Sequence, residues 1–425
     1  ANGTRTREVD ANGQRRSMRY DALNRRIEHT DALGQSTTYA YDAVGNLSHE
    51  INARRHTTRY NYDQLNRRTT RVDPAGFTFT YVYDAVGNRL AEQLPNGNVI
   101  ASSYDALNRL TARTDALGLL RRYAYDADSN RLAETDANGQ TTRNTYDALN
   151  QLVEQALPAA RQRSLSYDLV GNRTAETDTN GYTTFFAYDE RNRLSATIDP
   201  LGQRVSRTYD AVGNTITETN QRGETTAFVY DARNRLVQTR YPLGLETQTT
   251  YDAVGNTLSE SDKRGTVTTY TYDRENRLLS TTKAGVIRHT LAYDAVGNVA
   301  FETDANDNIT AFLYDPRNLR VRESRPLAAI TEHTYDAMGD RVASRDPEGN
   351  TTRFAYDLRR RLLAATDGAG DTTRFTYDGN GNRLSRRRPG GNTWTYTYDA
   401  ANRLSAVTEP VQAMTQYTYD GNGNR

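Results

Sequence analysis

The chain has 425 residues, 36% of them hydrophobic, with 54 basic residues against 53 acidic ones and no cysteine. A net charge of +1 leaves no bulk field to recruit nucleic acid or anionic lipid, and the lack of thiols excludes disulfides, thiol catalysis and thiolate metal sites. No run approaches the ~18 apolar residues of a membrane-spanning helix, and the apolar fraction lies below the roughly 45–50% of ordinary globular proteins, which argues against a string of conventional cores.

The chain opens Ala1-Asn2-Gly3, with no initiator methionine and no charged-then-apolar leader. From Tyr20 the dipeptide Tyr-Asp recurs every 21 residues through Tyr419, twenty times without insertion or deletion. A fixed period of this length is the mark of a repeat architecture. Tyr20-Asp21, Tyr41-Asp42, Tyr83-Asp84, Tyr104-Asp105, Tyr209-Asp210, Tyr251-Asp252, Tyr293-Asp294 and Tyr377-Asp378 set its phase. Four residues after each Tyr the chain alternates between Asn and Gly, as in Asn24, Gly45, Asn66, Gly87 and Asn108, and only Ser129 and Arg360 depart. The Gly-type units continue into Asn, as in Gly45-Asn46, Gly87-Asn88 and Gly213-Asn214, so the larger period is 42 residues. Duplication of a 42-residue ancestor and unlike environments for neighbouring units both account for it.

Residues 1–425 are thus expected to form one uninterrupted array with no separate domain. Gly3 falls at the phase of a turn glycine, and Arg425 stops six residues after Tyr419, so both ends cut through a repeat. Neither end carries an atypical capping repeat. The segment reads as an excerpt of a longer array.

Within a unit, a second turn signal, Asp-x-x-Gly, follows the Tyr-Asp turn: Asp31 to Gly34, Asp136 to Gly139, Asp199 to Gly202, Asp346 to Gly349. Asp bonds the backbone two residues on, and Gly accepts positive φ. Between the turns lie stretches of about six residues rich in Thr, Tyr, Phe, Val and Leu, too short and too alternating for helix. Two residues before the Tyr sit Tyr39, Tyr60, Phe186 and Phe375, on the same strand face as the Tyr; Asn144, Arg207 and Thr249 interrupt this stripe. Ala40, Ala124, Thr271 and Thr376 point the other way. The fold class is therefore all-β, a chain of antiparallel hairpins with one aromatic face. About 40 strands at about 4.8 Å make a strip roughly 190 Å long. Such a strip twists, and coiling into a shell or tube would bury one face and bring its long edges together. All but two of the 54 basic residues, Lys263 and Lys283, are arginine, whose fork suits the Asp of a neighbouring turn and the face of Tyr. Stability is expected to be nearly one-dimensional, each unit leaning on its sequence neighbours.

The repeated Tyr-Asp-x-x-Gly-Asn-Arg-Leu at Tyr83 to Leu90 and Tyr377 to Leu384, with Asp-x-x-Gly between, resembles the YD repeats of the Rhs family. That family includes bacterial polymorphic toxins, the B and C components of Tc toxins, wall-associated proteins and teneurins. The resemblance implies a secreted or cell-surface protein and a β-strip spiralling into a hollow shell, which in toxin members encloses a C-terminal effector. Family arrays usually drift in repeat length, whereas this one is strictly regular. The family's C-terminal core segment has no counterpart here.

A catalytic site should break the repeat. His29, His49, His56, His289 and His333 each fall at a different phase, and no zinc-protease, nucleophile-elbow or phosphate-loop motif occurs. Asp378-Gly379-Asn380-Gly381-Asn382 imitates the start of a calcium loop, but Arg383 replaces the required Gly and Pro389 the bidentate Glu; the stretch at Asp420 fails likewise. Asx turns outweigh calcium here, and a structural ladder outweighs glycan or base stacking as the role of the tyrosines. The basic runs Arg359 to Arg361 and Arg386 to Arg388 are balanced by acidic residues. No cofactor, metal or nucleic acid is expected. The expected function is a non-catalytic scaffold, the wall of a hollow shell or tube, with an open-ended fibre and a carbohydrate-binding adhesion module as alternatives. Expected partners are further copies of the repeat, an enclosed effector, or a lateral self-assembly partner.

Overall fold

The computed structural model describes residues 4–425, so Gly3 and its turn phase lie outside the described residues. Forty strands form one long antiparallel sheet, and no α-helix occurs among the described residues. Among the described residues the only helical elements are three single 3-10 turns, at Pro242–Gly244, Pro326–Ala328 and Pro389–Gly391. Among the described residues no helix is long and apolar enough to cross a membrane. The strands coincide with the Thr- and aromatic-rich stretches, as β-branched and aromatic side chains favour a pleated surface.

Ser36–Tyr41, Leu47–Ile51 and Thr57–Tyr62 show the pattern. Thr38 faces Ile51, Tyr39 faces Glu50 and Ala40 faces His49, but Tyr41 faces Leu47, leaving Ser48 without a counterpart. The next pairing, Ile51 with Thr57, runs without a step. The same step recurs immediately before Tyr188, Tyr209, Tyr293 and Tyr377. These Tyr-Asp hairpins thus carry a β-bulge, which bends the strand and increases its twist. Nothing in the sequence reading anticipated it.

The aromatic face is half-buried rather than buried. In Thr372–Tyr377, Arg374 and Thr376 are exposed while Phe375 and Tyr377 are partly covered. Only Tyr81, Leu165, Ala196 and Phe312 count as buried apolar residues among those described. Arginine supplies part of the missing cover. Arg26 lies 4.8 Å from the ring of Tyr39, and Arg383 lies 6.0 Å from Phe375 and 4.5 Å from Tyr396. Such contacts contribute about 0.5–1 kcal/mol each at exposed sites.

The chain divides into two compact units, neither continuous in sequence. The first gathers Ala1–Val82, Gln93–Asn96 and Phe228–Thr352; the second gathers Tyr83–Glu92, Gly97–Ala227 and Arg353–Arg425. Each therefore brings together repeats that lie far apart along the chain.

Candidate functional site

The repeat places its polar chemistry in two rows of turns, one at each end of the strands. In the Tyr-Asp row, Asp42 Oδ1 accepts the amides of Val44, Gly45 and Asn46, and Oδ2 accepts the Asn46 side chain at 2.9 Å. Asp21 Oδ1 takes the amides of Leu23 and Arg25, and its Oδ2 takes Arg25 Nε at 2.7 Å. Asn24 and Gly45 occupy the same turn position with φ of 59° and 105°, the left-handed region that Asn and Gly tolerate best. The Arg235 guanidinium and the amides of Arg235 and Arg233 pull the Asp231 carboxyl down to about 2. The hydroxyl of the repeat Tyr donates to a carbonyl of the preceding hairpin: Tyr41 to Arg26 at 2.8 Å, Tyr104 to Arg89 at 3.1 Å, Tyr293 to Leu278 at 2.7 Å. The ring is thus anchored along the sheet at both ends.

These contacts give the 42-residue period a physical basis. After an Asn-type turn, the arginine reaches forward over the tyrosine of the next, Gly-type unit. Arg25 lies 4.8 Å from the Tyr41 ring and donates Nη1 to the Asp42 carbonyl; Arg193 does the same with Tyr209 at 4.6 Å and Asp210. After a Gly-type turn, the asparagine reaches forward instead, and Asn46, Asn88 and Asn172 each donate Nδ2 to the turn Asn twenty residues on, at 2.8–2.9 Å. The two links alternate, so neighbouring units do sit in unlike environments. The arginine meets the Asp of the neighbouring turn through that residue's main-chain carbonyl, and its guanidinium also holds the carboxylate of its own turn.

In each unit the Asp-x-x-Gly row meets the Tyr-Asp row of a distant part of the array. In the first unit, Asn12 donates Nδ2 to Asp252 at 2.8 Å, and Arg54 reaches Asp294 at 3.4 Å and the Tyr314 carbonyl at 2.9 Å. Glu275 accepts from Arg16 and from the Ala32 amide, and Arg317 stacks on Phe77 at 4.8 Å. In the second unit, Asn138 donates to Asp378 and Asn380 donates back to Asp136, at 2.8 and 2.6 Å. Asn180 with Asp420 and Asn422 with Asp178 repeat this exchange at 2.9 and 2.7 Å. Arg359 grips Asp115 with two bonds of 2.7 and 2.8 Å, and the Asp115 side chain is only 1% exposed. Asn12, Arg54, Asn138 and Asn180 all reach a partner 240 residues later. We call this contact the seam. Strictly one-dimensional stability does not survive it.

The stretches that imitate calcium loops belong to the seam. A Cβ on Gly379 would lie 2.6 Å from the Ala137 carbonyl oxygen, and Gly421 likewise faces the carbonyl of Thr179, so only glycine permits these approaches. The departure of Gly379-Asn380 and Gly421-Asn422 from the usual Ala-Val or Ala-Leu was the sequence signal for the seam. Among the described residues no group of three or more His, Asp or Glu side chains is placed to hold a metal. His289 bonds Glu302 and His333 bonds Ser344, each across a strand pair. His56 lines a cavity of about 410 Å³ on the first unit's seam with Glu50, Thr58, Arg71, Asp73 and Phe79.

The Teneurin YD-shell family matches residues 83–240 and 172–340, which together span more than half of the chain. The RHS Repeat family matches overlapping segments from residue 1 to 99 and from 335 to 425. No curated protein matches in sequence. Among solved structures, a crystal structure of TcdB2-TccC3-Cdc42 aligns over 96% of this chain and 27% of its own, with 14% identity and a TM-score of 0.56. TcdB2-TccC3-TEV aligns over 97% and 24%, with 16% identity and a TM-score of 0.53. A Tc holotoxin pore from Photorhabdus luminescens gives 96% and 24%, 16% identity and a TM-score of 0.52. The chain spans about a quarter of the length of these structures, and at such identities they establish the fold alone.

Proposed function

The chain belongs to the Rhs/YD-repeat shell family, and from that premise we propose that it forms the wall of a hollow β-shell that encloses a second polypeptide. The domain itself is structural and non-catalytic, and its family is one of secreted and cell-surface proteins. The seam carries the proposal. A separation of 240 residues at a 21-residue repeat corresponds to about 23 strands, so the strip returns to its own opposite edge after about eleven and a half repeats. Return at a fixed register is what a coiled wall requires. The roles of the repeat residues follow: the Tyr-Asp turns, Gly45 and Asn46 with their equivalents, and Gly139 in the Asp-x-x-Gly row hold the strip and the seam. A uniform open tube is the second reading, favoured by a repeat length that never varies. An adhesion module is favoured less, because arginines already cover many of the aromatic rings.

The absence of cysteine makes the test clean. With Asn138→Cys and Asn380→Cys, a short bis-maleimide reagent should link the two positions within one molecule at high yield, whereas Asn138→Cys with Thr271→Cys should not link. Failure of the first pair, or an extended ribbon in cryo-electron micrographs, overturns the coiled wall. A closed shell shows capped ends in the same images, and a tube shows open ones.

A further inference from the structure

The dipeptide Asn-Gly occurs seven times in the chain, and five of those asparagines, Asn12, Asn138, Asn180, Asn380 and Asn422, are donors in the seam. Each gives its Nδ2 to an aspartate carboxylate of the facing row at 2.6–2.9 Å, Asn12 in the first unit and the other four in the second. The amide of the following glycine is held at the same time. Gly13, Gly139, Gly181, Gly381 and Gly423 each donate to the carbonyl of the Asp that opens their turn, at 3.0–3.2 Å.

Asparagine is thermolabile, and most so before glycine, which has no Cβ to screen its nitrogen. That nitrogen loses its proton to solvent and closes on Cγ of the asparagine. A Gly N–Cγ bond forms, the Cγ–Nδ2 bond breaks, and ammonia leaves carrying a proton. Water then opens the cyclic imide at either carbonyl, giving aspartate or isoaspartate; one water is consumed, and nothing is oxidised or reduced. In the closed seam both reacting groups are engaged, the glycine amide by a carbonyl and the leaving amide by a carboxylate. The product reverses the contact. Where Nδ2 of residue 138 donated to Asp378, or that of residue 380 to Asp136, a carboxylate would meet a carboxylate, and like charges at that distance disfavour each other. The arginine clamps Arg54 and Arg359 are untouched by this chemistry, so conversion weakens the seam without abolishing it.

We propose that the seam asparagines are deamidation sites held unreactive by the closed seam and converted when it opens, so that a wall once opened does not reclose to its original strength. Peptide mass spectrometry of the full chain in mildly alkaline buffer tests the protection. At the five sites the native chain should deamidate at least about tenfold more slowly than the same chain unfolded in guanidinium chloride, a gap set by the free energy of local opening. Arg359→Leu, which loosens the seam beside Gly379, should speed native deamidation at Asn380. Amide exchange tests the consequence. Exchange over 136–141 and 378–382 should be faster in Asn138→Asp/Asn380→Asp than in Asn138→Ala/Asn380→Ala, which removes both donors without adding charge. If the double Asp variant does not fold, Asn138→Asp against Asn138→Ala makes the same comparison. Native deamidation as fast as in the unfolded chain, or an Asp variant no looser than its Ala counterpart, overturns the proposal. The bis-maleimide link between positions 138 and 380 separates this from the coiled wall: if it forms while native deamidation is fast, the protection fails and the wall stands.

Discussion

One carboxylate organises each Tyr-Asp turn. In the Tyr-Asp row the Asp accepts two or three amides through Oδ1 and one side chain through Oδ2, so the ionised form is bonded throughout. Asp420 is held down to about 2 by Asn424, joined by Asn180 across the seam, and Asp42, Asp63 and Asp105 are shifted the same way. A carboxyl whose pKa falls on folding stabilises the fold fully above its unfolded pKa, about 4, and loses that contribution as pH drops through its folded value. The thermal midpoint should therefore be level from neutrality to about pH 4 and fall steeply between about 4 and 2. Circular dichroism melts across that range check it, and a midpoint unchanged at pH 2 would remove the turn carboxylates from the account.

The hairpin is where sequence and structure agree most and where their limits show. Alternating Thr and aromatic residues, Asx turns and positive-φ positions are local signals, and each has a direct physical meaning; strand after strand follows from them. The step before each Tyr is different. Tyr41 faces Leu47 because the turn closes from Asp42 to Asn46 with one residue too many on the returning strand, and no residue type at Ser48 announces that. The alternation of Asn and Gly was visible, but its cause required seeing Asn172 reach Asn192, and Arg193 then reach over Tyr209. That link makes a specific claim. Asn192→Gly keeps the turn conformation but removes the acceptor, and should weaken the local hairpins by about 0.5–1.5 kcal/mol. Asn192→Ala should cost about 1–2 kcal/mol more, because alanine resists positive φ. Amide exchange over residues 167–209 resolves the two; protection in Asn192→Gly equal to that of the unaltered chain would deny the side-chain link a role, and equal protection in both variants would deny the conformational cost.

Across the molecule, the seam turns a linear array into one in which positions 240 residues apart share stability. Its partners are set by how far each bulged hairpin turns the strip, a quantity summed over about 23 strands, and no local window of sequence contains it. Gly379 and Gly421 betray it only in retrospect, as the two places where an alanine of the repeat gives way to a backbone approach. Arg359 offers the sharpest test. Its guanidinium is the ionic partner of nearly buried Asp115 and also donates to the Gly379 carbonyl of the next repeat. Removing one partner of a buried ion pair typically costs about 3–5 kcal/mol, since the other charge stays buried and unmatched. In Arg359→Leu, amide exchange should quicken in two segments remote in sequence, 113–119 and 357–361, while repeats equally close along the chain, such as 314–325, keep their protection. In a strictly one-dimensional array the same change would loosen only the neighbours of residue 359. Exchange confined to 340–380 would therefore count against the seam, and paired loss around 115 and 359 would measure its strength.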